Sequence, residues 1–454
     1  MTGFKTGNIE VRLIDEVKGL IEQEKFDALK KLGEEMRPAD VADLIEHLGA
    51  NERIIIFQLL EPEGAGDVLV EIEPPIQERI LRDLDNKAIS DIVAEMDSDD
   101  AADLVGDLPA DRAKEVIDSV DDHISEELEK LLPFPEDTAG GIMALEFLAV
   151  TTDATVGDAI KTVREKGKDI ENLYHIWVTD NFQRLVGVIT LKDLVLEPED
   201  RKISDIMNPD VISVETDTDQ EEAANLVKRY DLVNIPVVDD HFRLVGRITH
   251  DDIIDVIEEE IDEDMSLMAG VFDQEVTEES TMKISRARLP WLIAALFGGV
   301  FAAAVINQFE ASLKAMISLS FFFPVVMAMG GNTGIQAATV VVRGLATGDI
   351  GLVNIGKRLW MELRVALING IICGSILGLI VGFWVQDYRL GLLVNTAIFL
   401  IIVLSGLIGA AVPLALKRLN VDPALAAGPF VTTSNDILSL LIYLGLVSIF
   451  LRPA

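Results

Sequence analysis

From residue 289 onward the chain holds five apolar stretches, at roughly 289–308, 315–342, 359–386, 392–416 and 424–451. A helix needs about 20 residues to cross a hydrocarbon layer of ~30 Å. Hydrocarbon offers backbone amides no water partner, so such a run folds as a helix that satisfies its own hydrogen bonds. Short polar loops separate the five, which predicts a five-helix membrane domain over 286–454. The basic residues orient it. Arg286, Arg288, Arg343, Lys357, Arg358, Arg364, Lys417 and Arg418 fall on one side of the spans, and Lys314, Arg389 and Arg452 on the other. That excess predicts an inner-membrane protein with a cytoplasmic N-terminal part and its C-terminus outside.

Charge divides the chain at the same place. The net charge is −39, yet from Ser285 onward 11 Lys+Arg face 6 Asp+Glu, so residues 1–284 carry a net −44. The first part is therefore an acidic soluble module, long enough for more than one domain. Such charge repels nucleic acid and anionic headgroups and attracts cations. Ordinary solubility or halophilic adaptation would produce the same composition. The single cysteine, Cys373, allows no intrachain disulfide, and five scattered histidines build no imidazole metal site. Met1 to Asn8 is polar and lacks a signal-peptide core. No nucleophile–base set, P-loop or His/Cys site points to an enzyme.

Asp436 stands out in the apolar half. An ionised carboxylate in hydrocarbon costs ~2.5–3.5 kcal/mol even on a lenient scale, so it needs a partner, a wet path or a bound cation. The plainer reading is a helix-end Asp reaching the interface, but apolar sequence continues to its C-terminal side. Two segments suggest interrupted helices. One is Gly330-Gly331-Asn332-Thr333-Gly334; the other runs from Asp422-Pro423 through Gly428-Pro429 and Thr432-Thr433 to Asp436. Pro429 inside a helix would leave a carbonyl unpaired one turn earlier. Carbonyls, hydroxyls and a carboxylate together suit a hard cation. Tight helix packing of the small-xxx-small kind also explains the glycines.

Residues 139–258 contain a repeat. Arg184-Leu185-Val186-Gly187-Val188-Ile189-Thr190 matches Arg243-Leu244-Val245-Gly246-Arg247-Ile248-Thr249, and Ile142-Met143 matches Ile206-Met207. Each unit reads strand, helix, strand, strand, helix. This resembles a tandem pair of CBS domains, which often bind adenosine nucleotides near a Gly-x-x-Thr-x-x-Asp turn, here Gly187/Thr190/Asp193 and Gly246/Thr249/Asp252. Residues 10–132 are helical by pattern, with recurring acidic starts that suggest a small solenoid. Many of those acids also serve as N-caps. Residues 259–285 form a connecting helix on which Glu260, Glu263 and Asp264 share one face. Like charges so placed weaken a helix unless a cation sits among them; a solvated acidic face is the commoner meaning.

The whole pattern resembles the MgtE family of magnesium channels. The most specific residues are Gly330-Gly331-Asn332-Thr333-Gly334-Ile335-Gln336 and the run from Asp422 to Asp436. The resemblance implies a multidomain homodimer: an α-helical solenoid, an α/β CBS pair, a connecting plug helix and five transmembrane helices. It implies a Mg²⁺ pore on the two-fold axis, with Asp436 binding hydrated Mg²⁺ and Gly331, Asn332, Gly428, Pro429 and Thr432 lining the path. It also implies closure by cytoplasmic Mg²⁺ at Asp67, Asp99, Asp103, Glu221, Asp231, Asp252, Asp255, Glu260, Glu263 and Asp264, with Asp422 a further site. ATP at Thr249 and Asp252 is a candidate ligand. Two other readings compete: an ion-coupled secondary carrier, for which no inverted repeat is evident, and a membrane-anchored nucleotide sensor.

Overall fold

The protein is described from a computed structural model, which covers residues 11–450 apart from 169, 171, 272–279, 348, 349, 351–354, 420 and 427. The expectations for Met1 to Asn8, for residue 10, for Arg452 and for the middle of the 259–285 stretch lie outside the described residues. The chain divides into two compact units, Met1–Glu258 and Glu259–Ala454.

The first unit begins with short helices: α1 (Val11–Glu22), α2 (Phe26–Glu35), α3 (Pro38–Glu46), α4 (Ala50–Phe57), α5 (Pro62–Val70), α6 (Pro74–Asp83), α7 (Asn86–Val93), α8 (Ser98–Gly106), α9 (Ala110–Ile117) and α10 (Asp122–Leu131). Proline in the first turn starts α3, α5 and α6, where its missing N–H costs nothing. Each helix buries one stripe at helical spacing: Val41, Leu44 and Ile45 in α3, Val68 and Leu69 in α5, Ala101, Leu104 and Val105 in α8. Alternate helices then stack, α3 on α5, α5 on α7, α7 on α9, which is the expected solenoid. Arg112 of α9 fastens the stack by donating to Asn86 Oδ1 (2.7 Å) and to the carbonyls of Leu81 (2.9 Å) and Leu84 (2.7 Å).

The repeat follows as two copies of one unit. The first is β1 (Ala149–Thr151), α11 (Val156–Lys166), β2 (His175–Thr179), β3 (Leu185–Thr190) and α12 (Leu191–Leu196); the second is β4 (Val214–Glu215), α13 (Gln220–Tyr230), β5 (Ile235–Val238), β6 (Leu244–Ile248) and α14 (His250–Ala269). Both sheets pair a parallel strand and then an antiparallel one, with a register shift at equivalent places, Val178/Thr179 and Val237/Val238. The repeated glycines are explained by reciprocal packing. A Cβ on Gly187 would lie 2.7 Å from Met207 Sδ, and one on Gly246 would lie 2.7 Å from Met143 Sδ. Each unit's glycine thus receives the methionine that introduces the other unit.

Helix α14 runs 20 residues from His250 to Ala269, burying Ile253 and Val256, and stops at Gly270, whose φ of 68° is left-handed.

The second unit contains α15 (Thr281–Gln308), α16 (Glu310–Ala315), a 3₁₀ turn (Ile317–Phe322), α17 (Phe323–Ala346), α18 (Ile355–Trp384), α19 (Tyr388–Arg418), a 3₁₀ turn (Ala424–Ala426) and α20 (Pro429–Phe450). Among the described residues five of these helical segments are long and apolar enough to cross a membrane. The apolar window of α19 is 56% buried and that of α15 only 11%, so α19 is central and α15 peripheral within this unit. Gly370, Gly374 and Gly378, one turn apart on α18, press against α19: a Cβ on Gly378 would lie 2.7 Å from the Gly391 carbonyl. In lipid, where apolar burial supplies no contrast between protein and solvent, such close backbone approach is a main source of helix association.

Two expected interruptions are absent. Helix α17 is continuous through Gly330-Gly331-Asn332-Thr333-Gly334, so its carbonyls remain in the helical ladder, and Thr333 Oγ1 adds a bond to the Met329 carbonyl at 2.7 Å. Pro429 is the first residue of α20 rather than a residue inside it, so no helical carbonyl is orphaned by it. The packing explanation of the glycines is the one this structure supports.

Candidate cation sites

In the second unit Asp436 lies about two turns into α20 and is half-buried. It borders a cavity of about 470 Å³. Ala295, Gly298, Gly299 and Ala302 of α15, Met327 and Ile335 of α17, and Gly428, Thr432 and Thr433 form most of the wall; Met268 and Ala269, the end of α14, complete it. Gly428 stands so close to α14 that a Cβ there would lie 3.1 Å from the carbonyls of Leu267 and Met268. Leu267 and Met268 also pack on Ala338, Val342 and Ala424.

Gly331 reaches the carboxylate, since a Cβ on it would sit 3.4 Å from Asp436 Oδ1 and 3.5 Å from Thr432 Cγ2. Thr432 Oγ1 in turn donates to the Gly428 carbonyl at 3.4 Å. Gly331, Gly428 and Thr432 therefore gather around Asp436. Asn332 does not: it is exposed on α17, one residue round the helix from Gly331, and is not part of the cavity wall. The side chain of Pro429 lies outside the described residues. Asp422 is exposed and accepts from Ala424 N at 2.7 Å, holding the turn that leads into α20.

The first unit carries a different site. Asp99 and Asp100, in the first turn of α8, are drawn together with Asp252 and Asp255 at the start of α14 and with Glu146. Burial, reinforced by the charges of Asp252, Asp100 and Glu146, pushes the Asp99 carboxyl well above its ordinary range. Burial, with Asp252, Asp97, Asp103 and Asp255 adding to it, raises Asp100 to about 7. Asp255 rises to about 6, first from burial, then from Asp252 and Glu71. Burial also raises Asp252, against the stabilising hydrogen bonds from Thr249, whose backbone N–H donates to Asp252 Oδ2 at 3.0 Å. Ser98 ties the segments of this site together: its hydroxyl donates to Glu146 Oε2 and accepts from Leu145 N, both at 2.8 Å.

A cluster of half-neutralised carboxylates is a poor arrangement for stability and a good one for a hard divalent ion, which replaces protons with a charge and takes oxygen ligands. Of the ten acids named from the resemblance, Asp99, Asp103, Asp252 and Asp255 lie near one another around Asp100. Asp100 and Glu146 were missed. Asp100 carried a local signal, lying beside Asp99 and three residues before Asp103; Glu146 carried none.

The other expected ligands lie elsewhere. Asp67 is exposed on α5, where burial and the nearby Glu63 raise its carboxyl. Glu221 opens α13 and Asp231 ends it in a left-handed cap, φ 52°, so ten residues, ~15 Å of helix, keep them apart. Glu260 and Asp264 are partly buried and Glu263 is exposed, one helical face of α14 as spaced. A histidine also enters a group the sequence did not suggest: Asp239, Asp240 and His241 bring ligand atoms within 4.8 Å of one another in an exposed turn, although Asp239 is already bound by Arg243 (Nε–Oδ2 2.7 Å).

Comparisons with known proteins place these features in one lineage. A divalent cation transporter model, MgtE, matches residues 323–446, an MgtE intracellular N domain matches 36–137, and CBS domains match 139–200 and 203–259. The chain is 34% identical to the magnesium transporter MgtE of Thermus thermophilus over 98% of this chain and 100% of that protein. It is 33% identical to that of Bacillus subtilis, over 95% and 96%. A crystal structure of the cytosolic domain of the Mg²⁺ channel MgtE in complex with ATP aligns with a TM-score of 0.51 at 35% identity, covering 54% of this chain and 99% of that one. The domain order, the cavity under Asp436 and these likenesses over nearly the full length agree: the chain belongs to the MgtE family of magnesium transporters.

Proposed function

We infer that this protein is a homodimeric Mg²⁺ channel of the inner membrane, with its acidic unit in the cytoplasm and its C-terminus outside, closed by the ion it admits. The observation that carries this reading is Asp436: a carboxylate at the wall of an intramembrane cavity whose wall is completed by the end of α14. Mg²⁺ gives up its water reluctantly and prefers octahedral oxygen ligands. One carboxylate per chain, doubled by two-fold symmetry, attracts a hydrated ion without holding it too tightly for release.

Closure belongs to the acidic cluster. At low cytoplasmic Mg²⁺ the carboxylates of Asp99, Asp100, Asp103, Asp252 and Asp255 repel one another; at high Mg²⁺ they share ions and the compact arrangement wins. Glu260, Glu263 and Asp264 add ligands on α14, the helix whose end borders the cavity. Shifting such an equilibrium from 1:99 to 99:1 takes about 5.5 kcal/mol, which several weak sites can supply together.

ATP is a second regulatory ligand supported by the likeness to the ATP-bound cytosolic domain. The residues fit: Asp251 at the start of α14 accepts from Asn172 Nδ2 (3.2 Å) and offers a carboxylate of the kind that binds ribose hydroxyls, beside the Thr249–Asp252 turn. Bound there, the nucleotide would add charge next to the acidic cluster.

The test is Mg²⁺ uptake into proteoliposomes. Asp436→Asn is expected to reduce uptake to that of empty vesicles while the protein still purifies as a folded dimer. Normal uptake through Asp436→Asn would sink the pore assignment.

A further inference from the structure

Helix α20 is seated by three side chains in three glycine gaps. A Cβ built on Gly298 of α15 would lie 1.9 Å from Thr433 Cγ2; on Gly330 of α17 it would lie 2.0 Å from Ser439 Oγ; on Gly334 it would lie 1.8 Å from Asn435 Nδ2. Each of these side chains occupies the volume a methyl group would take. At about 100° per residue, Thr433 faces α15, Asn435 and Ser439 face α17, and Asp436 falls between the two faces. Turning α20 either way would drive one of the three out of its gap.

Hydrogen bonding does not hold this arrangement. Asn435 and Ser439 are both 0% exposed, and among the described residues neither the amide atoms of Asn435 nor the Ser439 hydroxyl has a partner. Unpartnered buried polar groups disfavour a state rather than stabilise it, so the seating depends on shape. A close fit of this sort has one good register, as buried polar side chains at helix interfaces do elsewhere.

We propose that Thr433, Asn435 and Ser439 are positioning residues, whose seating in the Gly298, Gly334 and Gly330 gaps sets the rotation and depth at which Asp436 meets the ion path. The inference rests on Asp436 being the carboxylate of that path. Asn435 is the principal member, since it is adjacent to Asp436 and fully enclosed.

A knob-and-hole swap tests it on the full-length protein. Mg²⁺ uptake into proteoliposomes, scanned over external Mg²⁺, separates the half-saturating concentration from the maximal rate. Gly334→Ala evicts the Asn435 side chain and is expected to raise the half-saturating concentration about fivefold, with unchanged yield and size-exclusion profile. Asn435→Ala empties the gap and shifts it in the same direction. Combining G334A with N435A refills the gap from the other helix and returns the value to within about twofold of wild type. A merely structural contact would instead lower folded yield and maximal rate together, and the double variant would be no better than the worse single. Either that pattern, or single variants with unaltered half-saturation, overturns the proposal. Should Gly334→Ala not fold, Gly330→Ala with and without Ser439→Ala makes the same swap one turn away, with the same outcomes supporting or overturning the proposal. Asp436→Asn runs alongside: if it conducts normally, the proposal falls with the reading of the path; if it is dead while the swap series leaves half-saturation unchanged, the seating alone is wrong.

Discussion

The two units handle carboxylates in opposite ways. In the first, Asp99, Asp100, Asp252 and Asp255 are packed together and lifted toward neutrality by burial and mutual repulsion. In the second, Asp436 sits beside glycines and threonines, with Asp422 the nearest other acid in sequence and exposed at the helix entry. A crowd of carboxylates binds a divalent ion at the expense of protons and reports how much of it is present. An isolated carboxylate in a cavity attracts the same ion and lets it leave. On the proposed reading, the contrast teaches that sensing and conduction ask for opposite ligand densities.

The largest expected break in this contrast comes from removing the crowd while keeping the isolated acid. Asp99→Asn with Asp252→Asn is expected to leave uptake running at internal Mg²⁺ that shuts wild type nearly completely, with the half-saturating external concentration unchanged. If the double variant still closes at the wild-type internal concentration, the cluster is not the sensor.

A smaller effect is read from pH. Asp100 has a folded-state carboxyl at about 7 against an ordinary 3.8, and Asp255 one at about 6. The folded state therefore binds more protons than the unfolded state between these limits, and stability falls as pH rises through them. With divalent ions chelated, the melting temperature of residues 1–258 should climb as pH drops from about 8 toward 5. Asp100→Asn should remove much of that slope and raise the melting temperature at pH 8 by several degrees, since ~1 kcal/mol is worth roughly 2–4 °C at this size. Saturating Mg²⁺ should flatten the wild-type slope as well. Thermal unfolding by circular dichroism decides it; an Asp100→Asn slope equal to wild type would mean that burial there is relieved by water.

The smallest expected effect sharpens the geometry. Ser98→Ala removes the bridge from α8 to Leu145 and Glu146 and should destabilise the unit by about 1–3 kcal/mol. It should also move Mg²⁺-dependent closure to higher concentration, because Glu146 is no longer held at the cluster. A loss of stability in urea unfolding without a change in closure would make Ser98 a structural residue only.

Much of this was legible in the sequence because it depends on local periodicity. The apolar runs announced five membrane helices, Gly187 and Gly246 with their matched neighbours announced a doubled unit, and the recurring acidic starts announced a small helical solenoid. The role of Gly330 and Gly334 was harder to read, because glycine serves equally to break a helix and to let one approach another. Pro429 misled for a similar reason: it is disruptive inside a helix and harmless at its first residue, and the sequence does not mark where α20 begins. Glu146 was invisible, since nothing in its neighbourhood resembles a ligand motif.

The sequence by itself determined which residue types are available and where helices and strands run, because hydrogen-bond periodicity and burial stripes repeat every few residues. It also determined that the acids concentrate ahead of the membrane. Only the tertiary structure decided which acids meet. Asp99 and Asp252 are 153 positions apart, and their titration depends on a shared burial that no window of sequence contains. It likewise decided that Asp436 borders a cavity, beside gaps at Gly298, Gly330 and Gly334 that side chains of α20 fill.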